Sequence, residues 1–222
     1  MLYVIGTPIG NLNDITLRAL EALKSADVVA AEDTRHSGNL LRHFEIRKPL
    51  VSYHQHNEAM RTADLSERLE AGETVALITD AGMPGLSDPG ARLIRACIER
   101  GLEYTVIPGV SAILTALVGS GFPLDRFCFH GFLPVKSGGR ERELRAAAER
   151  LETSVFFESP YRINKTLAAC NEIMPNRQLC VARELTKKFE EFRRGTAAEL
   201  LAHYAAHPAK GEITLVISGA AD

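Results

Sequence analysis

Thr79-Asp80-Ala81-Gly82-Met83-Pro84-Gly85-Leu86-Ser87-Asp88-Pro89-Gly90 is the stretch on which the reading of this chain turns. The apolar run Val75-Ala76-Leu77-Ile78 precedes it and has the character of a strand buried on both faces, while Leu93, Ile94, Cys97 and Ile98 follow at helical spacing. Strand, glycine-rich loop and helix, in that order, build ligand sites at the carboxyl end of a parallel sheet. The glycines let backbone come close to a bound molecule, and Pro84 fixes one turn of the loop. Asp88 and Pro89 are expected to begin the next helix as its N-cap and first-turn residues. A plain structural βα turn is the alternative, for which this loop is unusually long and specialised.

Outward from this loop the same unit recurs. Leu2-Tyr3-Val4-Ile5 forms a strand that runs into Gly6-Thr7-Pro8-Ile9-Gly10-Asn11, with Asn13 or Asp14 capping a helix that carries Leu17, Leu20 and Leu23. That turn has neither the glycine spacing of a dinucleotide fingerprint nor the lysine of a phosphate loop, which argues against NAD and ATP. Residues 28–31 form a second strand, ending in Glu32-Asp33-Thr34-Arg35, where a structural ion pair with Arg35 and a substrate-facing role are both open. Ser52-Tyr53-His54-Gln55-His56-Asn57-Glu58 is expected to be a polar rim that touches substrate; no cysteine or carboxylate pattern supports metal binding by its two histidines. A helix through Leu65 and Leu69 ends at Gly72, a strand covers residues 104–107, and Pro108-Gly109-Val110-Ser111-Ala112 opens a helix whose small residues leave its amides accessible to a ligand. At least four strand-then-helix units in residues 1–118 imply a parallel sheet with right-handed crossovers.

The stretch Gly119-Ser120-Gly121-Phe122-Pro123-Leu124-Asp125 breaks the pattern as a linker. Beyond it, over residues 119–222, strands are expected at 126–132, 154–158, 179–182, 189–194 and 212–218, and helices at 140–151, 161–174 and 197–207, the last with Thr196 and Glu199 as a capping box. Strands outnumber helices there, which indicates a mixed sheet, so the fold class is α/β in two domains. Two basic clusters lie in this half: a flexible loop at residues 136–140, and Lys187-Lys188 on a hairpin near Arg183 and Arg193-Arg194. They serve either solubility or the phosphates of a polyanion.

Composition narrows the function classes. The chain has 222 residues, 45% of them hydrophobic, enough for one large core or two modest ones. A net charge of −2 leaves nucleic-acid contact to local basic patches. Cys97, Cys128, Cys170 and Cys180 are widely spaced within apolar segments and suit buried small hydrophobes in a reducing cytosol. No apolar run approaches membrane-spanning length, and the start lacks the features of a signal peptide, so a cytoplasmic location with no membrane and no DNA partner is expected.

Eight blocks then occur in one order: Gly6 to Leu12, Ala31-Glu32-Asp33-Thr34-Arg35, the run Ser52 to Glu58, Thr79 to Pro84, Ser87-Asp88-Pro89-Gly90, Pro108 to Ala112, Phe157-Glu158-Ser159-Pro160-Tyr161-Arg162 and Ala182-Arg183-Glu184-Leu185-Thr186-Lys187. Together they closely resemble the ribosomal RNA small subunit methyltransferase I family, a branch of the tetrapyrrole methylase superfamily. The resemblance implies S-adenosylmethionine as donor in a cleft completed by the second domain, a homodimer, and methyl transfer to the ribose 2'-hydroxyl of a cytidine in 16S ribosomal RNA, free or in the 30S subunit. It places donor contacts on Pro8, Ile9, Gly82, Met83, Pro84, Leu86, Ser111, Ala112 and Phe157. Met83 and Asn11 stand where tetrapyrrole-modifying members carry aspartate, which fits the ribosomal branch, and members of that branch look longer at the carboxyl end. A ribose hydroxyl needs a proton acceptor, for which Asp33, Glu158 and His54 are the candidates; Arg35, Arg162, Arg183 and Lys187 are placed to hold phosphates. The rival readings are a small-molecule tetrapyrrole methylase and a non-catalytic RNA-binding module.

Overall fold

The computed structural model describes residues 1–220 and divides into two compact units, Met1–Ser111 and Ala112–Asp222. In the first, β1 (Leu2–Ile5), α1 (Leu17–Ser25), β2 (Val28–Ala31), α2 (Thr34–His43), β3 (Leu50–Ser52), α3 (Glu58–Glu70), β4 (Val75–Ile78), α4 (Ala91–Arg100) and β5 (Tyr104–Ile107) alternate along the chain. The sheet order is β3-β2-β4-β1-β5, with every neighbouring pair parallel. Its central strands read as unbroken apolar runs because both faces are covered. Ile5, Val29, Ala31, Ala76 and Ile78 join Leu23 and Leu41 in one core cluster; Leu2, Val4, Val28, Ala30, Val75 and Leu77 join Leu65, Leu69, Leu93 and Cys97 in another. All five strands therefore deliver their carboxyl ends, and the loops leaving them, to one edge of the sheet.

Helix starts differ from expectation in ways that bear on the site. Asn11 caps a short 3-10 turn at Leu12–Asp14, and Thr16 caps α1 by accepting the Ala19 amide, so neither Asn13 nor Asp14 does so. Asp88 and Pro89 do not begin α4: the N-cap is Gly90 at φ 141°, a conformation that only glycine adopts readily, and it leaves the Asp88 carboxylate outside the helix.

The second unit comprises α5 (Ala112–Ser120), β6 (Phe127–Phe132), α6 (Ser137–Ala148), β7 (Thr153–Glu158), α7 (Ile163–Ile173), β8 (Gln178–Arg183), β9 (Glu191–Thr196), α8 (Ala197–Ala206) and β10 (Ile213–Ile217). Its sheet, in the order β6-β7-β10-β8-β9, is mixed: β6 and β7 are parallel and the remaining pairs antiparallel. Leu144, Phe156, Leu167, Val181, Leu200, Tyr204 and Leu215 form the core. The unit begins at Ala112 rather than at residue 119, because Arg194 of β9 donates to the carbonyls of Ser120 (2.7 Å) and Gly119 and ties the end of α5 to this sheet. The expected basic loop at residues 136–140 is instead the start of α6; the buried Arg140 donates back to the Val135 carbonyl at 3.3 Å. The capping box on α8 forms as expected. Among the described residues no helix is long and apolar enough to cross a membrane.

Candidate functional site

Three loops leave β1, β4 and β5 and meet backbone to backbone. Thr7 and Gly82 exchange amide-to-carbonyl hydrogen bonds at 2.9 and 3.0 Å, and the Thr7 hydroxyl donates to the Thr79 carbonyl at 3.0 Å. Gly6 and Gly109 are pressed together. A Cβ on Gly6 would lie 2.6 Å from Met83 Sδ and 2.8 Å from Gly109 Cα, so no larger residue fits at either glycine. Gly82 and Gly85 take φ of 79° and 83°, and the Gly85 amide closes the loop onto the Pro89 carbonyl at 3.0 Å. Of the expected donor contacts, Pro8, Ile9, Gly82 and Pro84 are buried here, Met83 and Ser111 are half-buried and Leu86 is exposed. Ala112 opens α5 in the second unit, where Phe157 on β7 packs edgewise against Phe129 with centroids 5.0 Å apart.

Beside these loops, at the end of the neighbouring strand β2, the expected catalytic residue Asp33 turns out to be the N-cap of α2. It accepts the Arg35 amide at 2.8 Å and pairs with the Arg35 guanidinium at 2.8 Å, which holds its carboxyl far below the usual carboxylate range. The ion pair with Arg35 is present, and a carboxylate so stabilised is a weak base. Its neighbours were missed by the sequence reading. Glu32 Oε2 accepts the Asp80 amide at 3.5 Å and Asp80 Oδ1 accepts the Asp33 amide at 3.1 Å, bracing the ends of β2 and β4. Burial, followed by the charges of Glu32 and Asp80, pushes the Asp88 carboxyl up to about 6, and burial likewise raises Glu32. The available signal was positional: Glu32 and Asp80 lie just past the ends of two strands that prove to be neighbours.

The run Ser52 to Glu58 is part scaffold. Tyr53 is fully buried, with its hydroxyl on Thr62 at 3.0 Å and Glu58 at 3.3 Å; Asn57 accepts the His54 amide at 2.8 Å. Glu58 also accepts the Gly90 amide at 3.4 Å, linking the run to the glycine loop. His54 Nδ1 is buried and has no hydrogen-bond partner among the described residues, while its Nε2 meets the Asn57 side-chain amide at 3.3 Å.

In the second unit the expected polar residues are engaged internally. The Glu158 side chain is fully buried and accepts from Arg162 at 2.7 Å, from the Ser159 amide at 2.7 Å and from the Thr166 hydroxyl, so it organises the turn between β7 and α7. Arg162 also donates to the Leu133 carbonyl at 3.1 Å. Arg183 pairs with Glu191 at 3.1 Å, and Lys187 with Glu184 and Glu212 at 3.0 and 2.8 Å. All four residues expected to hold phosphates are thus ion-paired, Arg35 with Asp33 and the other three within the second unit. Arg35, 90% exposed along its side chain, leans on Asp33 alone.

Residues 1–201 match the family model of the tetrapyrrole (corrin/porphyrin) methylases. The fold agrees: the crystal structure of the methyltransferase CobJ is similar with a TM-score of 0.72 at 21% identity, covering 99% of this chain and 94% of that one. Uroporphyrin-III-C-methyltransferase from Thermus thermophilus gives 0.68 at 24%, over 98% and 93%. Glycine loops at the carboxyl edge of a parallel sheet, followed by a mixed-sheet unit, are thus the build of a methylase. Proteins named ribosomal RNA small subunit methyltransferase I are considerably more similar: 47% identical in Synechocystis sp. over 99% of this chain and 79% of the relative, and 44% in Thermotoga maritima over 98% of each. The chain belongs to that methyltransferase family, within the tetrapyrrole methylases.

Proposed function

We propose that this protein binds S-adenosylmethionine on the loops leaving β1, β4 and β5 and methylates the ribose 2'-hydroxyl of a cytidine in 16S ribosomal RNA, as free RNA or in the 30S subunit. The observation that carries the donor site is the backbone-to-backbone meeting of these loops, Thr7 on Gly82 and Gly6 against Gly109 beside Met83, which leaves main chain rather than side chains at the carboxyl edge of the sheet. Support for the RNA substrate comes from the names of the relatives. Met83 disfavours a tetrapyrrole substrate, because it places a thioether where porphyrin-modifying members carry a carboxylate.

When bound, S-adenosylmethionine supplies a methyl group on a positively charged sulfur. The carboxylates of Glu32, Asp80 and Asp88 give the region the negative potential that suits a cation, and the buried loops limit water. The ribose oxygen must lose a proton as it gains the methyl group. Asp88 is the acceptor in this proposal: it lies on the donor loop, is free of helix capping, and has a carboxyl raised towards working pH. Burial first, and then the neighbouring charges of Glu32 and Asp80, hold the Asp88 proton on. His54 lines this edge, and the exposed Arg35, although paired with Asp33, is the phosphate contact assigned on this unit. Ala112 and Phe157 are assigned to the donor, and homodimerisation and a cytoplasmic location are expected, on the family resemblance.

The test is methyl transfer from labelled donor to small-subunit RNA and to 30S subunits that lack the modification, with the product mapped by mass spectrometry. A single 2'-O-methylcytidine is expected. Transfer to a porphyrinoid instead, or to neither RNA substrate, overturns the reading.

A further inference from the structure

We propose that a cavity beside the β8–β9 hairpin of the second unit is an RNA subsite that takes one unstacked nucleotide, base and phosphate, of the substrate. The inference rests on the RNA reading above. The cavity measures about 480 Å³, the size of a small-ligand site, and its walls include Phe189, His203, Tyr204, His207 and Lys210.

Its polar lining is already satisfied in a way that leaves flat faces open. Glu191 sits at the hub, accepting from Arg183 at 3.1 Å, from Arg193 at 2.8 Å and from the Tyr204 hydroxyl at 3.2 Å. Glu184, the other carboxylate of the lining, accepts from Lys187 at 3.0 Å and from the Glu212 amide at 3.1 Å. Arg183 also donates to the Lys210 carbonyl at 3.1 Å, which pins the turn leading to Gly211. Gly211 takes φ 79°, a left-handed conformation that favours glycine, beside the Glu184 carboxylate.

Rings stand around this braced floor, with Phe189 the exposed one. Phe189 is 65% exposed with the Lys188 ammonium 5.7 Å from its ring centroid, and the His203 and His207 rings stack at 4.9 Å with an interplanar angle of 22°. Aromatic faces of this kind hold unpaired bases by stacking, whatever their sequence. Lys188 and Lys210 are exposed and form no ion pair among the described residues, so the free positive charge lies here and not on Arg183 or Lys187. A base stacked on Phe189 would bring its phosphate within the range of Lys210 on the cavity wall and Lys188 beside the same ring.

The experiment compares wild-type protein with Phe189→Ala and with Lys188→Ala/Lys210→Ala, all exposed positions whose replacement spares the core. Steady-state methylation of small-subunit RNA is measured together with calorimetric affinity for S-adenosylmethionine. Phe189→Ala is expected to raise KM for RNA about tenfold, with kcat and donor affinity unchanged. The double variant is expected to raise KM and to flatten the dependence of log affinity on log salt by about one to two units. Unchanged KM and salt slope in both variants would overturn the subsite. So would micromolar binding of free cytidine monophosphate that Phe189→Ala abolishes while KM for RNA stays put, which would mark a site for free nucleotides. Failure of the RNA reading itself would show in the wild-type protein, before any variant is compared.

Discussion

At the residue scale, adjacent carboxylates with different partners acquire different chemistry. Asp33 spends its charge on a helix amide and on Arg35; Asp88, with no cation to stabilise it, holds its proton to about 6. Asp33→Asn preserves an N-cap side chain and should keep turnover within about threefold of wild type, with little change in melting temperature. Asp88→Asn should leave calorimetric donor affinity intact and abolish methyl transfer, while the wild-type rate climbs with pH through about 6 to a plateau. A rate profile flat from pH 5 to 8 would count against Asp88. The sequence displayed these acids but not their division of labour. Which of Glu32, Asp33 and Asp80 caps a helix depends on where α2 begins and on β2 lying beside β4, and neither adjacency is written in local spacing.

At the element scale, the loops and turns that carry the site are held by contacts with little tolerance. Gly6→Ala drives a methyl group into the backbone of Gly109, with neither strand end able to retreat. It should cost about 1–3 kcal/mol of stability, read from chemical denaturation, and weaken donor binding in calorimetry. The turn between β7 and α7 depends on Glu158, whose buried carboxylate answers Arg162, Ser159 and Thr166 together. Glu158→Gln should lower stability by about 3–5 kcal/mol by leaving the Arg162 guanidinium without its counter-charge, with kcat preserved in the fraction that stays folded. Strands β1, β2, β4 and β5 were legible from their apolar runs, as was α8 from its capping box. The start of α6 was not: Gly138-Gly139 argues for a loop, and only the buried Arg140, bonded back to Val135, pulls these residues into a helix.

At the scale of the whole molecule, proton linkage connects the site to the stability of the fold. In the unfolded chain Asp88 would ionise near its ordinary 3.8, whereas the folded protein retains the proton to about 6. Between those values the folded state binds more protons, so this group's contribution makes stability fall as pH rises from about 4 to 6. Its partial exposure makes the slope shallow, and Asp88→Asn should remove that slope in denaturation series across the range. The two-unit α/β architecture was legible from the change in strand character along the chain, while the point of division was not, because α5 is claimed by β9 through Arg194, far away in sequence. Strand β10 sits at the middle of the second sheet, between β7 and β8. Consequently, while the chain is still emerging from the ribosome, the first unit has every strand it needs once Ile107 is out, but the second keeps a gap at its centre until residues 213–217 arrive. During that interval β7 and β8 lack the strand that lies between them, the kind of unpaired edge that invites a wrong neighbour.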